Sequence, residues 1–447
     1  MFAKLRSRLT GTQWIAVGFL VIILCGTFLL MLPVSCREGK GTDFLSAMFT
    51  AASATCVTGL VVVDTYQHWS LFGQLIILLM IQVGGLGFVT IGVSIFLMMG
   101  KKIGLADRGL LKDSVNALQI GGIVRLAKLI LKGTFLTEGL GALLFAIRFI
   151  PEFGLLEGIY YSIFHSISAF CNAGFDLMGR FEAYSSLSRY AQDYLVSMTA
   201  AGLILIGGLG FVVWKDISVN RLNFSRYSLH AKMVLTALIV LLVVPTALFL
   251  LLESDGVLKE LDGSGKCLAA FFAAVTPRTA GFNTTDVAGL SDAGKLLTLI
   301  LMLIGGNPGS TAGGVKTTTI MVLLLYIVSM IRHTDGVNVY GRRLEDKLIE
   351  KAAIVFTLTL SMAVLGSFII CAVDNLPLAD VLLETFSAVD TVGMSTGITR
   401  DLSVVSKVVI ILLMYCGRIG SLSFALTFTD KRRQSGLRQP MERINIG

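Results

Sequence analysis

The chain alternates between long and short apolar runs, and this alternation predicts its elements. A helix that crosses a bilayer needs about 20 apolar residues, and seven runs are long enough: 14–34, 71–99, 133–151, 194–214, 233–252, 352–372 and 404–428. Four shorter runs lie between them, at 44–55, 158–170, 267–276 and 379–391. The short runs cannot span a membrane, and each leads into a glycine-containing stretch. We predict four re-entrant half-helices, whose following backbone must line a cavity or be buried in protein.

An eighth apolar run, 296–331, is interrupted in its middle. Residues 305–319 contain five glycines and Pro308. Proline and closely spaced glycines break a helix, and polar backbone that is released at membrane depth must face water or protein. We therefore predict an intramembrane loop within this run.

The order long, short, long recurs four times and indicates internal duplication. We predict repeats at 13–100, 124–215, 229–332 and 351–429, between cytoplasmic termini at 1–12 and 430–447. The glycines that follow the short runs, Gly59, Gly174, Gly281 and Gly397, lie 115, 107 and 116 residues apart. Such spacing is typical of repeats that form one structure together. The predicted fold is an all-α integral membrane protein, with four pseudo-symmetric helix–pore loop–helix repeats around one central pore.

Composition and charge support a membrane protein. Apolar residues make up 54% and charged residues 15% of the 447, whereas soluble domains have about 25% charged residues. Of the 37 Lys and Arg, 24 fall into five clusters, at the N-terminus, 100–132, 215–232, 332–351 and 430–447. The positive-inside rule places these clusters in the cytoplasm. We predict a multi-pass protein of the cytoplasmic membrane with both termini inside, and no binding of nucleic acid despite the net charge of +8.

The sequence has no constellation for catalysis. The seven cysteines include no C-x-x-C pair, the four histidines are scattered, and no phosphate-binding glycine motif is present. These observations predict neither a resident metal nor a cofactor, and they argue against an enzyme. Glycine-centred backbone at membrane depth has a different chemistry, because its carbonyls can replace the hydration shell of a monovalent cation. An ordinary extracellular turn is the alternative for any single glycine segment.

Glycine clusters also occur in the helix after each short run. They lie at 84–87, 207–210, 305–309 and 417–420, and Arg418 occupies the position of a glycine in the fourth cluster. Close helix packing explains the glycines. It does not explain Arg418, because a charge inside a membrane helix is costly and usually marks an ion path or a paired site.

These features resemble the Trk/Ktr/HKT superfamily of potassium transporters, most closely the membrane subunit of the Ktr system. The specific stretches are 277–283 and 305–317. The resemblance implies a selectivity filter for K⁺ made by four triplets: Val57, Thr58 and Gly59; Asn172, Ala173 and Gly174; Thr279, Ala280 and Gly281; Ser395, Thr396 and Gly397. An additional glycine, Gly393, leaves another register open for the fourth triplet. Glycine at position 59 implies a preference for potassium, whereas serine there would imply sodium.

The resemblance also implies a gate and partners. The gate residues are Gly305, Gly306, Asn307, Pro308, Gly309, Ser310, Thr311, Ala312, Gly313, Gly314, Lys316 and Arg418. We hypothesise that Lys316 and Arg418 lie near the inner pore and oppose cation flow; a lysine at the inner membrane interface is the alternative for Lys316. The implied assembly is a homodimer on a cytosolic ring of RCK subunits of the KtrA type, which would hold the nucleotide. The expected function is gated potassium uptake; the alternatives are a less selective K⁺/Na⁺ pathway and a Na⁺- or H⁺-coupled carrier.

Overall fold

The computed structural model describes residues 11–98, 104–114, 121–221, 223–421 and 424. Nearly all of its regular structure is helical. The predicted cytoplasmic segments 1–12 and 430–447 lie outside the described residues, apart from positions 11 and 12.

The first half of the chain forms ten helices in the described residues. They are α1 (Gly11–Leu30), α2 (Phe44–Cys56), α3 (Thr65–His68), α4 (Leu71–Leu86), α5 (Phe88–Met98), α6 (Leu105–Ser114), α7 (Ile123–Phe153), α8 (Leu155–Phe170), α9 (Tyr194–Gly208) and α10 (Phe211–Asn220). Several begin at a side chain that caps the free backbone N–H groups of the first turn. Asp43 accepts a hydrogen bond from the Ser46 N–H, for example, and Ser70 accepts one from the Gly73 N–H.

The second half continues with seven helices and a two-stranded hairpin in the described residues. The helices are α11 (Leu229–Glu253), α12 (Gly263–Val275), α13 (Asp292–Leu303), α14 (Thr317–Ile331), α15 (Asp346–Asp374), α16 (Leu378–Val389) and α17 (Val404–Ile419). Strands β1 (Asn338–Val339) and β2 (Arg342–Arg343) pair antiparallel between α14 and α15. Short 3₁₀ turns cover Pro33–Ser35, Met178–Arg180, Ser188–Tyr190, Phe224–Arg226 and Ile398–Arg400.

Long helices and short helices differ in their surroundings, as the membrane-protein prediction requires. Among the described residues, four helices are long and apolar enough to cross a membrane: α1, α7, α11 and α15. Only 17–33% of their most apolar windows is buried within the chain. The short helices α2, α8, α12 and α16 are largely buried; in α2, Phe49 and every residue from Thr50 to Cys56 is buried. The chain therefore covers its half-helices with protein and leaves its spanning helices for lipid.

Three predicted full-length spans are interrupted. The run 71–99 divides into α4 and α5 at Gly87, and 194–214 divides into α9 and α10, which are bent by 95°. The run 404–428 ends its helix at Ile419, before Gly420. Gly87, Gly210 and Gly420 have φ of 79°, 98° and 93°, a conformation that glycine adopts without steric cost. The prediction of uninterrupted helices at these three places is wrong for that reason.

The helix contacts follow a cyclic order. Each short helix contacts the long helix that precedes it: α2 contacts α1, α8 contacts α7, α12 contacts α11, and α16 contacts α15. The helix that follows each glycine segment contacts the next short helix: α4 contacts α8, α9 contacts α12, α13 contacts α16, and α17 contacts α2. The last contact joins α17 to α2, so the sequence of contacts closes on itself.

Candidate functional site

The residues after each short helix share one backbone conformation. In each case a residue with positive φ is followed by one ordinary residue and then by a glycine with positive φ. The pairs are Val57 (58°) and Gly59 (94°), Asn172 (58°) and Gly174 (68°), Thr279 (63°) and Gly281 (76°), and Thr391 (51°) and Gly393 (91°). Positive φ is rare for β-branched residues such as valine and threonine. Strain of this kind persists where the surrounding structure enforces it, and it is concentrated at functional sites.

The four glycines form a closed ring, which we call the glycine ring. A Cβ atom built on Gly59 would lie 3.1 Å from Gly174 Cα, and one on Gly174 would lie 3.0 Å from Gly281 Cα. One on Gly281 would lie 3.2 Å from Gly393 Cα, and one on Gly393 would lie 3.0 Å from Gly59 Cα. Any side chain would therefore meet the backbone of a neighbouring segment, and only glycine fits.

The fourth member of the ring is not the predicted glycine, Gly397, but Gly393. The ring segment is 391–393, whereas Ser395, Thr396 and Gly397 lie beyond it. In the described part of the chain, a Cβ atom on Gly397 would meet only the Arg400 guanidinium. Gly397 also has positive φ, 99°, so its local conformation does not distinguish it from Gly393. Contacts with segments more than 100 residues away make the distinction. The other nine predicted residues lie in the ring segments 57–59, 172–174 and 279–281.

A hydroxyl group from each short helix, or in the third case from Thr276 directly after it, holds its own ring segment. The Gly59 N–H donates to Ser53 Oγ at 3.1 Å, and the Gly393 N–H donates to Ser387 Oγ at 3.0 Å. In the other two segments the hydroxyl donates to the carbonyl after the glycine: Ser168 to Phe175 at 2.6 Å and Thr276 to Phe282 at 2.5 Å. Sequence reasoning missed these four residues. A hydroxyl residue six positions before the glycine in three of the four segments is the signal that was available.

Several hydroxyl oxygens at the ring have no hydrogen-bond partner among the described residues. Thr279 and Thr391 begin the third and fourth ring segments, and Thr58 is the middle residue of the first. All three are buried, and their side-chain oxygens are unpaired in the described part of the chain. A buried polar group without a partner is costly. Oxygen atoms in this state next to a ring of backbone carbonyls are suited to bind a cation.

The connection between α13 and α14 lies against the ring segments, on the side where the short helices end. We call it the 305–316 loop. The Thr311 hydroxyl lies 3.2 Å from Asn172 Oδ1 and donates to the Phe170 carbonyl at 3.2 Å. The Val315 N–H donates to Asp390 Oδ1 at 2.9 Å. A Cβ atom on Gly313 would collide with Thr391 Oγ1. The loop therefore contacts the beginnings of the second and fourth ring segments.

Arg418 joins this loop to the break between α4 and α5. Its Nη1 donates to the Thr311 carbonyl at 2.5 Å, and its Nη2 donates to the Gly84 carbonyl and, at 3.2 Å, to the Gly85 carbonyl. The Gly84 and Gly85 carbonyls lie in the last turn of α4 and the Thr311 carbonyl lies in a loop, where carbonyls lack i+4 helix partners; the Gly84 carbonyl also accepts from the Gly87 N–H at 3.3 Å. Arg418 is thus bonded to the first repeat and to the 305–316 loop at once.

Lys316 closes the end of the loop on itself. Its ammonium donates to the carbonyls of Ala312 at 2.9 Å and Gly313 at 2.7 Å. It is the residue before the first turn of α14. The other end of the loop contains the predicted gate residues Gly305, Gly306, Asn307, Pro308 and Gly309. There the Asn307 side chain donates to the Gly208 carbonyl at 2.8 Å, and the Phe211 N–H donates to the Gly309 carbonyl at 2.7 Å. The loop therefore also contacts the break between α9 and α10.

The comparisons with known proteins identify this architecture. The family model described as TrkH, cation transport protein, matches residues 5–436. The chain belongs to the TrkH family. The earlier resemblance to the Trk/Ktr/HKT superfamily is confirmed, and because the family consists of transporters, so is the prediction that the chain is not an enzyme.

Two curated TrkH-family relatives match along nearly their full length. The potassium/sodium uptake protein NtpJ of Enterococcus hirae is 40% identical over 455 residues, which cover 100% of this chain and 99% of that protein. The Ktr system potassium uptake protein B of Bacillus subtilis is 40% identical over 442 residues, which cover 98% and 97%. The crystal structure of the potassium transporter TrkH from Vibrio parahaemolyticus matches with a TM-score of 0.69 at 20% identity and covers 93% of this chain and 85% of that one. The structural match confirms an integral membrane fold of this family.

Proposed function

We propose that this TrkH-family chain takes up potassium ions through a central pore, with the glycine ring as its selectivity filter. The observation that supports the proposal is the closed ring of four segments with the same strained backbone. Four helix–loop–helix repeats around one axis would create such a ring. Each repeat would contribute one quarter, and the contact between α17 and α2 would close the circle.

The chemistry of the ring favours a monovalent cation. The carboxyl-terminal ends of α2, α8, α12 and α16 all point toward it, and the end of a helix dipole carries about half a negative charge. Carbonyl oxygens of the ring segments can replace water around a dehydrated ion. The unpaired hydroxyls of Thr58, Thr279 and Thr391 add further oxygen ligands. The side chains of the four ring segments themselves are neutral, which suits an ion that must leave as readily as it enters.

The 305–316 loop is the proposed gate. It lies against the ring on the side where the short helices end, which is the cytoplasmic side if the positive clusters are inside. Arg418 and Lys316 bring two positive charges to this side of the filter. At 4 Å and an effective dielectric constant of 20, one such charge opposes a cation by about 4 kcal/mol. We infer that uptake requires the loop and Arg418 to move.

The flux experiment described below also distinguishes two alternative transport functions. A less selective pathway is favoured by one observation, since the relative from Enterococcus hirae is named a potassium/sodium uptake protein. A coupled carrier is disfavoured by the cyclic contacts, because carriers are often built from inverted repeats with a substrate site between them. A pore also explains why all four quarters have the same backbone conformation.

The proposal also includes the oligomeric state of the chain, its cytosolic partner and the membrane that contains it. We infer a homodimer in the cytoplasmic membrane, with both termini inside, on a cytosolic RCK-type ring that binds the nucleotide. Support comes from the relatives that are named as Ktr system subunits. Light scattering of the purified protein, with and without an added RCK ring, tests both the dimer and the complex. A monomer that does not bind the RCK ring would contradict the proposed dimer and the proposed complex, but it would not contradict the proposed pore.

The main experiment measures cation flux into liposomes that contain the purified protein. Wild type and Gly59→Ser are compared for K⁺, Rb⁺, Na⁺ and Li⁺. We expect potassium-selective flux in the wild type and loss of that preference in the variant, because a side chain at Gly59 meets the Ala173 carbonyl at 2.6 Å. Absence of any cation flux, even with an RCK ring, would refute the pore and lead to tests of coupled substrate transport.

A further inference from the structure

A carboxylate is buried behind the fourth ring segment. Glu384 lies on α16, nine residues before Gly393, and is 0% exposed. No lysine, arginine or histidine forms an ion pair with it in the described part of the chain. Burying an unpaired carboxylate costs free energy unless hydrogen bonds compensate. Glu384 has two: Ser395 Oγ donates to Oε2 at 2.7 Å, and Thr399 Oγ1 donates to Oε1 at 2.5 Å.

These hydrogen bonds continue into the backbone that leaves the ring. Ser395 Oγ accepts from the Gly397 N–H at 2.9 Å and lies 3.0 Å from Thr399 Oγ1. Since each hydroxyl uses its one hydrogen on the carboxylate, Glu384 is the acceptor that orients both. The segment 395–399 begins two residues after Gly393. Glu384 therefore fixes the backbone on the far side of the fourth ring glycine, while Ser387 fixes the glycine itself.

The equivalent positions in other repeats carry different chemistry. His165 is nine residues before Gly174 and is also buried; its Nε2 accepts from the Leu177 N–H at 3.3 Å. This contact likewise holds backbone just beyond a ring glycine. Thr50, nine residues before Gly59, donates to the Ser46 carbonyl of its own helix. In the second and fourth ring segments, a side chain of the short helix therefore holds the backbone that follows the ring glycine. Only in the fourth segment is that side chain a carboxylate.

We propose that Glu384 is a positioning residue that sets the ion preference of the filter through the segment 395–399. The inference rests on the proposed pore. A one-glycine segment has few carbonyls to define its shape, so its selectivity depends on how firmly the flanking backbone is held. Removing the acceptor frees the Ser395 and Thr399 hydroxyls and allows the fourth segment to adapt to a smaller ion.

The test compares K⁺ and Na⁺ flux in liposomes for Glu384→Gln, Ser395→Ala and Thr399→Val. Glutamine keeps the volume but loses one acceptor oxygen and the charge. We expect the K⁺/Na⁺ flux ratio to fall at least about tenfold in Glu384→Gln, the factor that corresponds to the lower end of the free energy of one hydrogen bond to a charged group. Ser395→Ala and Thr399→Val should each lower the ratio by a smaller factor. They also keep the test informative if Glu384→Gln does not fold.

Ser367→Ala is the matched control. Ser367 lies on α15, and its hydroxyl is 2.6 Å from the hydroxyl of Thr385, the residue after Glu384. The variant therefore removes a buried hydroxyl contact of the same short helix but leaves the segment 395–399 unchanged. Its flux ratio should equal that of the wild type. If the three test variants lower both fluxes and the thermal unfolding temperature but keep the ratio, Glu384 is only structural and the inference is overturned.

Gly59→Ser is measured in the same assay, so that a failure of the filter assignment can be distinguished from a failure of the role proposed for Glu384. If Gly59→Ser leaves the ion preference unchanged, the filter assignment itself fails. If Gly59→Ser changes the preference and the three Glu384 network variants do not, the filter stands and the role of Glu384 alone is refuted.

Discussion

The position of the fourth ring glycine can be tested with a matched pair of variants, Gly393→Ala and Gly397→Ala. Both glycines lie in the same connection, both are followed by a non-glycine residue, and their φ values are 91° and 99°. An alanine at either position therefore experiences similar backbone strain, of about 1–3 kcal/mol. The two variants differ in what the new methyl group meets.

At Gly393 the methyl group collides with the Thr58 carbonyl oxygen and lies 3.0 Å from Gly59 Cα. Both are backbone atoms of the first ring segment, which must move. At Gly397 its near neighbour is Nη2 of Arg400, at 2.6 Å, and Arg400 is an exposed side chain that can rotate away. Forcing a methyl group into a filled site costs about 1–3 kcal/mol. If that cost falls on the ion-conducting conformation, potassium flux decreases about 5-fold to 150-fold.

The assay is potassium flux into liposomes at equal amounts of folded protein, with thermal unfolding of both variants in detergent. We expect similar unfolding temperatures, a large loss of flux in Gly393→Ala and near wild-type flux in Gly397→Ala. The opposite order, with Gly397→Ala inactive and Gly393→Ala active, would refute the ring register. Equal loss in both would show that strain, and not the contact between segments, controls conduction.

Two further predictions concern the 305–316 loop and His68 at the end of α3. Arg418→Gln removes donors to the Thr311 and Gly85 carbonyls, so basal potassium flux in liposomes without a partner should rise; a fall would contradict a gating role. Burial lowers the pKa of His68, whose Nε2 lies 2.9 Å from Thr42 Oγ1, so protonation favours the unfolded chain. The unfolding temperature should decrease from about pH 8 to pH 5.5, and the decrease should be smaller in His68→Gln; an unchanged pH profile would refute this.

The element types could be predicted from the sequence because length alone restricts them. Runs such as 44–55 and 379–391 are too short for the bilayer, and the structure forms α2 and α16 there. The breaks at Gly87, Gly210 and Gly420 could not be predicted in this way. A single glycine lowers helix stability by only about 1 kcal/mol, so the sequence allows either a continuous or a broken helix. The 305–316 loop favours the broken form after α9, where the Phe211 N–H donates to the Gly309 carbonyl. After α4 the contact is made by Arg418, which donates to the Gly84 and Gly85 carbonyls.

The register of the fourth ring segment shows a second limit. Gly393 and Gly397 are both preceded by hydroxyl residues six positions earlier, Ser387 and Thr391, and both have positive φ. Neither local propensity nor motif spacing separates them. The distinction arises from contacts with Thr58 and Gly281, which are far away in the sequence. Ser395 and Thr396 belonged to the predicted filter because they are the two residues before Gly397; the structure gives Ser395 a partner in Glu384.

The contacts of the 305–316 loop imply an energetic requirement for opening the proposed gate. Two hydrogen bonds that join it to side chains outside the loop involve charged groups: Arg418 donates to the Thr311 carbonyl, and the Val315 N–H donates to the Asp390 carboxylate. Each such bond contributes about 1.5–3 kcal/mol, so displacing the loop without replacing them costs about 3–6 kcal/mol. A regulatory partner can open the pore only if it binds the displaced arrangement more tightly by a similar amount. Because Arg418 also holds the Gly84 and Gly85 carbonyls, movement of the first repeat offers a route for that binding energy to reach the loop.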